Sequence, residues 1–206
     1  MMHIRVSNLG KKFQREWIFR NFTLTFNQGQ SYALLGPNGS GKTTLMQILS
    51  GLVPPTRGKV EYLKDDRPVD HEYLYMHQSI VAPYQEVIEE FTLQELLEFH
   101  FALKPPLPSL GTEDIMKAMY LEQARHKYIR QFSSGMKQRL KLGLAFYSDN
   151  PILFLDEPCS NLDARGIKWY QQEVRKVLSE RMIFVCSNQS YEYEYVQKQV
   201  DIEQYK

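Results

Sequence analysis

Short apolar runs alternate with longer amphipathic stretches along this chain, and the two periodicities divide it into strands and helices. Near the start, Phe22-Thr23-Leu24-Thr25-Phe26 alternates apolar and polar side chains before the turn Asn27-Gln28-Gly29. That period of two predicts antiparallel strands within roughly residues 1–30, joined by Lys59 to Leu63. Ser31-Tyr32-Ala33-Leu34-Leu35, Ser79-Ile80-Val81-Ala82-Pro83, Ile152-Leu153-Phe154-Leu155 and Met182-Ile183-Phe184-Val185-Cys186 are continuously apolar or nearly so, which predicts strands buried on both faces. Thr43 to Ser50 has helical spacing and ends at Gly51. Residues from about 84 to 132 read as mainly helical: Thr92-Leu93-Gln94-Glu95 fits a capping box ahead of Leu96, Leu97 and Phe99. Lys104-Pro105-Pro106-Leu107-Pro108 interrupts the pattern, and residues 112 to 122 resume it. A further helix opens at Ser133 or Ser134, with Leu140, Leu144 and Ala145 on one face. The aromatic-acidic tail Tyr191-Glu192-Tyr193-Glu194-Tyr195 reads as part of a surface helix. Strands that alternate with helices predict an α/β fold with a parallel sheet.

Chemistry enters at the junctions. Between the strand ending at Leu35 and the next helix lies Gly36-Pro37-Asn38-Gly39-Ser40-Gly41-Lys42-Thr43-Thr44, which fits the phosphate-cradling pattern G-x-x-x-x-G-K-[ST]. The glycines let backbone N–H groups close around phosphate oxygens, Lys42 can reach the β- and γ-phosphates, and the Thr43 hydroxyl can take a Mg²⁺ position. The helix that follows directs a partial positive charge at the same point. The strand from Ile152 ends in Asp156-Glu157-Pro158. In parallel sheets the C-terminal tip of a strand is where ligands bind. Asp156 suits a Mg²⁺ contact and Glu157 a general base for an attacking water. Phe132-Ser133-Ser134-Gly135-Met136 places small hydroxyl residues and a glycine at a helix start, where an anion can be received.

These three elements, in this order, resemble the nucleotide-binding domain of ABC ATPases. Gly36 to Thr44 looks like the family's Walker A, Ile152 to Glu157 like Walker B with its catalytic glutamate, Phe132 to Met136 like the signature usually written LSGGQ, and Ser160-Asn161-Leu162-Asp163 like the D-loop. The stretch Leu52 to Val60 matches the turn that usually follows the first helix. The resemblance covers essentially the whole chain. It implies a P-loop NTPase (RecA-like) core with an N-terminal antiparallel β subdomain and a helical subdomain inserted at about 84–132, all within one domain spanning 1–206. It also implies ATP and Mg²⁺ as ligands and a head-to-tail pair of subunits. In such a pair the residues Ser133, Ser134 and Gly135 of one copy cover the γ-phosphate held by the other.

Several positions depart from the family's pattern. The signature reads Phe132-Ser133-Ser134-Gly135-Met136, which keeps the first hydroxyl and the glycine. Ser187-Asn188-Gln189 stands where Thr-His-Asp is usual, so Asn188 takes the place of the switch histidine. Its amide can donate to a γ-phosphate but cannot carry a proton. Tyr84 aligns with the usual Q-loop glutamine and Gln85 lies one residue on, which makes Gln85 the expected contact to Mg²⁺ or the lytic water; Gln78, before the strand, is the weaker candidate. Phe13 is the expected stacking platform for adenine, with Trp17 as its rival.

Composition narrows the partners. A formal charge of +1 over 206 residues supplies no field for nucleic acid. No apolar run reaches the length of a membrane span and the start lacks a signal-peptide core, so the chain is expected in the cytoplasm; the resemblance implies a separate membrane permease as partner and a peripheral place on the cytoplasmic face of the membrane. Cys159 and Cys186 have no metal-ligand spacing, and the five histidines form no metal cluster. A basic run, Arg125, Lys127, Arg130, Lys137, Arg139 and Lys141, flanks the signature helix; it reads as a solvated face, with a nucleotide-facing role as the alternative. The leading expectation is therefore an ATP-hydrolysing subunit that powers a membrane transporter through ATP-driven dimerisation. The alternative is a soluble ABC ATPase of the iron–sulfur assembly, translation or repair type.

Overall fold

The computed structural model describes residues 1–108 and 110–206. They form two compact units. The first comprises Met1–Ile80, Pro151–Glu157 and Leu178–Lys206; the second comprises Val81–Asn150 and Pro158–Val177. The unit that contains the helical stretch thus runs past residue 132 and takes in the signature helix as well.

In the first unit, β1 (Met2–Phe13), β2 (Glu16–Asn27), β4 (Arg57–Lys64) and β5 (Arg67–Pro68) make an antiparallel sheet in the order β2-β1-β4-β5. The other sheet has the order β6-β7-β8-β3-β9, with β3 (Ser31–Leu35), β6 (Gln78–Val81), β7 (Ile152–Asp156), β8 (Met182–Cys186) and β9 (Lys198–Asp201). The pairs β7–β8, β8–β3 and β3–β9 run parallel. All five residues of β7 and of β8 are buried, as expected for strands covered on both faces.

The two sheets of this unit meet through aromatic side chains. Phe26 of β2 stands edge-on to Phe184 of β8 at 4.8 Å between ring centroids and to Tyr32 of β3 at 4.8 Å, while Phe154 stacks on Phe184 at 4.8 Å. Such pairs contribute about 0.5–1.5 kcal/mol each beyond their buried area. Gln78 opens β6 and is buried, its Nε2 donating to the Ser50 carbonyl at 2.8 Å. That Nε2 group is held at the end of the helix after the phosphate loop. The tail departs from expectation too. Residues Ser190–Glu192 make a single 3₁₀ turn in which Glu192 is buried, Tyr195 is nearly so, and the chain then re-enters the sheet as β9. Burial of two of the five tail residues explains why the alternation matches no surface helix.

The second unit is helical: α2 (Leu93–Leu103), α3 (Thr112–Ala118), α4 (Ser134–Tyr147) and α5 (Ala164–Val177). The Thr92–Glu95 capping box forms as expected, with Thr92 Oγ1 accepting from the Glu95 N–H and Glu95 accepting from the Thr92 N–H. Those hydrogen bonds hold the Glu95 carboxyl below its usual range. Gly143 of α4 admits Met119, whose Sδ lies 2.1 Å from where a Cβ would stand. The α5 residues Gly166, Trp169, Tyr170, Glu173, Val174 and Val177 form its buried face at helical spacing.

Candidate functional site

The C-terminal tips of three adjacent parallel strands, β7, β8 and β3, open on one pocket of about 210 Å³. After β3 come Asn38, Gly39, Gly41, Lys42, Thr43 and Thr44; from β7 come Asp156 and Glu157; from β8 come Cys186, Ser187 and Asn188. Ile18 of β2 closes the remaining side. The sheet order itself brings together residues far apart in sequence.

The loop before α1 (Lys42–Leu49) is shaped by positions that tolerate no side chain. Gly41 caps the helix in the left-handed region, φ 104°, and a Cβ there would stand 2.3 Å from Ile18 Cγ2. Gly36 has φ 142°, and its Cβ would meet Ser40 Oγ at 2.5 Å. Ser40 is buried, and its Oγ has no hydrogen-bond partner among the described residues. No side chain caps α1, so the N–H groups of its first turn are left for a ligand. Lys42 Nζ donates to the carbonyls of Gly36 at 2.7 Å and Pro37 at 3.1 Å, which holds the ammonium against the loop.

Thr43 Oγ1 donates to Asp156 Oδ2 at 2.9 Å, so the two groups expected to serve one cation are in contact. Burial pushes the Asp156 carboxyl up to about 6, against the hydrogen bond from Thr43 and with the help of the neighbouring Glu157 charge. A carboxylate made costly by burial, with a hydroxyl beside it, is the donor set a hard divalent cation takes. Glu157 follows the strand with φ 46°, a conformation that L-residues other than Asn and Asp rarely adopt, and its N–H donates to the Cys186 carbonyl at 2.8 Å. The exposed carboxylate is thereby set at the mouth of the pocket. Asn188 Nδ2 donates to Asn38 Oδ1 across the same mouth.

A family profile described as "ABC transporter" matches residues 19–160. The chain belongs to the ABC transporter family. It carries an ABC ATPase domain, a domain that binds ATP. The chain is 32% identical over 170 residues to an uncharacterized ABC transporter ATP-binding protein, YcbN, of Bacillus subtilis, covering 82% of this chain and 55% of that protein. It is 31% identical over 190 residues to the lantibiotic transport ATP-binding protein SrtF of Streptococcus pyogenes, covering 90% of this chain and 79% of that one. It therefore spans about half of the first relative's length and about four-fifths of the second's. The fold matches a solved ATP-binding subunit of an ABC transporter with a TM-score of 0.82 at 22% identity, over 97% of this chain and 85% of that one. It also matches a bacterial Atm1-family ABC exporter with ATP bound, TM-score 0.80 at 19% identity, over 98% of this chain and 37% of that one.

Of the residues singled out from sequence, Asn38, Gly39, Gly41, Lys42, Thr43, Thr44, Asp156, Glu157 and Asn188 line one pocket; Gly36, Pro37 and Ser40 shape its loop from behind. Phe13 is not in that lining. It ends β1 half-exposed, with Lys11 Nζ 5.0 Å from its ring centroid. Ile18 and Cys186 line the pocket without having been anticipated; both lie in apolar strand patterns that give no hint of a ligand. Gln85, Ser133, Ser134 and Gly135 belong to the second unit. There the Gln85 carbonyl lies 3.4 Å from Lys141 Nζ, Ser133 Oγ accepts from the Met136 N–H at 3.2 Å to cap α4, and a Cβ on Gly135 would stand 3.0 Å from the Asn161 carbonyl. The basic run is largely engaged: Arg125 pairs with Glu113, Lys137 with Glu89, and Lys141 donates to the Ala82 carbonyl.

Proposed function

We propose that this chain hydrolyses ATP in a Mg²⁺-dependent reaction and thereby drives a membrane transporter whose permease is a separate protein. The observation that supports it best is the convergence of the phosphate loop, the Asp156–Glu157 pair and Asn188 at the tips of three neighbouring strands. The triphosphate enters the N–H cradle at the start of α1, and Lys42 exchanges its carbonyl partners for phosphate oxygens. Thr43 and Asp156 are the residues that would hold Mg²⁺, which when bound neutralises phosphate charge. Glu157, fixed in direction by its backbone, orients a water toward the γ-phosphate and takes its proton. Asn188 releases Asn38 and donates to the γ-phosphate. Lacking an imidazole, it adds no proton carrier, so turnover leans on Glu157.

Phe13 supplies a face for adenine, and Gln85 is the residue for the metal or the water contact. Ser133, Ser134 and Gly135 of a second copy cover the γ-phosphate, so ATP stabilises the paired state by mass action. The relatives named as transport ATP-binding proteins favour a polytopic membrane partner over a soluble one, and no helix among the described residues is long and apolar enough to supply the span itself. The test is capture of the tagged chain from detergent-solubilised native membranes. A stoichiometric multi-span protein is expected; a solely soluble partner would overturn the transport reading. In parallel, Glu157→Gln with Mg-ATP should elute from gel filtration as a dimer, and a monomer would overturn the sandwich.

A further inference from the structure

The second unit carries a cavity of its own, about 740 Å³, walled by α4, α5 and the turn after α3. Its lining is Tyr120, Arg139, Asp163, Arg165, Lys168, Trp169 and Gln172. Three cations face one carboxylate, and that carboxylate is engaged: Asp163 Oδ1 accepts from the Gly166 N–H at 2.7 Å at the start of α5. The central group is Arg139. Its guanidinium sits over the Tyr120 ring at 5.9 Å and the Trp169 ring at 6.0 Å. Trp169 is in turn pinned by its Nε1, which donates to the Ala118 carbonyl at 2.8 Å. Arg139 Nε is buried and has no hydrogen-bond partner among the described residues. A buried donor left without an acceptor is destabilising. Arg165 and Lys168 lie one helical turn apart and exposed on α5, at the rim of the same cavity.

We propose that this cavity binds a phosphate-bearing small molecule, separate from the ATP of the strand-tip pocket. The Arg139 guanidinium carries donors suited to a phosphate, and the two rim cations add charge for a second phosphate group. The volume lies in the range of small-molecule sites and exceeds what a single ion needs. The Asp163 carboxylate has one oxygen committed to the Gly166 N–H, and the lining keeps two cations in excess of it.

Trp169 reports on occupancy, because Trp17 is the other tryptophan and can be removed. In a Trp17→Phe, Lys42→Ala protein, which disables the strand-tip site, pyrophosphate should change Trp169 emission saturably, and rising salt should weaken the effect. Arg139→Gln should weaken it at least tenfold. Arg165→Gln combined with Lys168→Gln, both exposed and safe for folding, should weaken it by a similar factor. The absence of a saturable response would overturn the proposal. So would a response that the double variant leaves unchanged, or one given only by vesicles containing phosphatidic acid, which would mark a lipid headgroup surface in place of a small-molecule site.

Discussion

Two helix starts in this protein are built to opposite rules. α1 begins at Gly41, in the left-handed region, with no side-chain cap and no acidic residue in its first turn. α4 begins at Ser133, in extended backbone, with the serine hydroxyl already accepting from Met136. The first leaves its N–H groups to an outside anion. The second satisfies one of its own, the Met136 N–H, and leaves the Ser133 O–H free to donate. An anion at α1 meets a first turn with no side-chain cap; at α4 one of the N–H groups is already taken by the protein.

Substitutions can break or sharpen the contrast. The largest effect is expected at Gly41. An added Cβ would stand 2.3 Å from Ile18 Cγ2 at a φ of 104°, so Gly41→Ala should destabilise by about 2–4 kcal/mol and abolish ATP binding, as read by denaturant unfolding and calorimetry. Next is Asp156. Its folded-state carboxyl titrates at about 6, above its ordinary value, so the folded protein gains stability from it at low pH. That gain is fully present below about pH 4 and is lost as pH rises through 6. Asp156→Asn should therefore stabilise the protein at pH 8 by about 2 kcal/mol, with little change at pH 4, while removing Mg²⁺-supported ATP binding. The same titration predicts that Mg²⁺ support in the wild type fades as pH falls through 6.

At the other helix start, Ser133→Ala should cost about 1 kcal/mol of stability through loss of the cap, whereas Ser134→Ala should cost little. If Ser133 serves both cap and phosphate, the alanine variant also loses ATP-dependent dimerisation; unaltered dimerisation would separate the two roles. The smallest effect is expected at Asn188. Asn188→His should raise turnover several-fold by supplying a proton carrier, and turnover equal to wild type would show that the position does not limit the rate.

How much of this was legible in the chain follows the distance between partners. The phosphate loop is nine contiguous residues, and its glycines, lysine and threonines announce their roles without a structure. The acids at the end of β7 were legible because two carboxylates that abruptly close a buried apolar run must sit at the strand's tip, where the chain meets solvent or ligand. The Asn38–Asn188 hydrogen bond was not, because it depends on β8 lying beside β3 in the sheet, and nothing local at either residue encodes that order. Nor was β9 legible: Lys198-Gln199-Val200-Asp201 is polar for a strand and is held by pairing with β3. Gln78 looked like a loop residue in front of a strand, and its hydrogen bond to the Ser50 carbonyl has no signal in the sequence. The cavity around Arg139 draws on two helices and the turn after a third, so its residues share no spacing that a reader of the chain could find.

The most direct test of the account compares ATP binding and steady-state hydrolysis of the wild type and Glu157→Gln, with and without Mg²⁺. The account predicts that both proteins bind ATP, that the wild type hydrolyses it only with Mg²⁺, and that the glutamine variant is slower by about 10²–10⁴-fold, the usual worth of a positioned general base. Hydrolysis by Glu157→Gln at the wild-type rate, or a wild type that does not bind ATP, would contradict it.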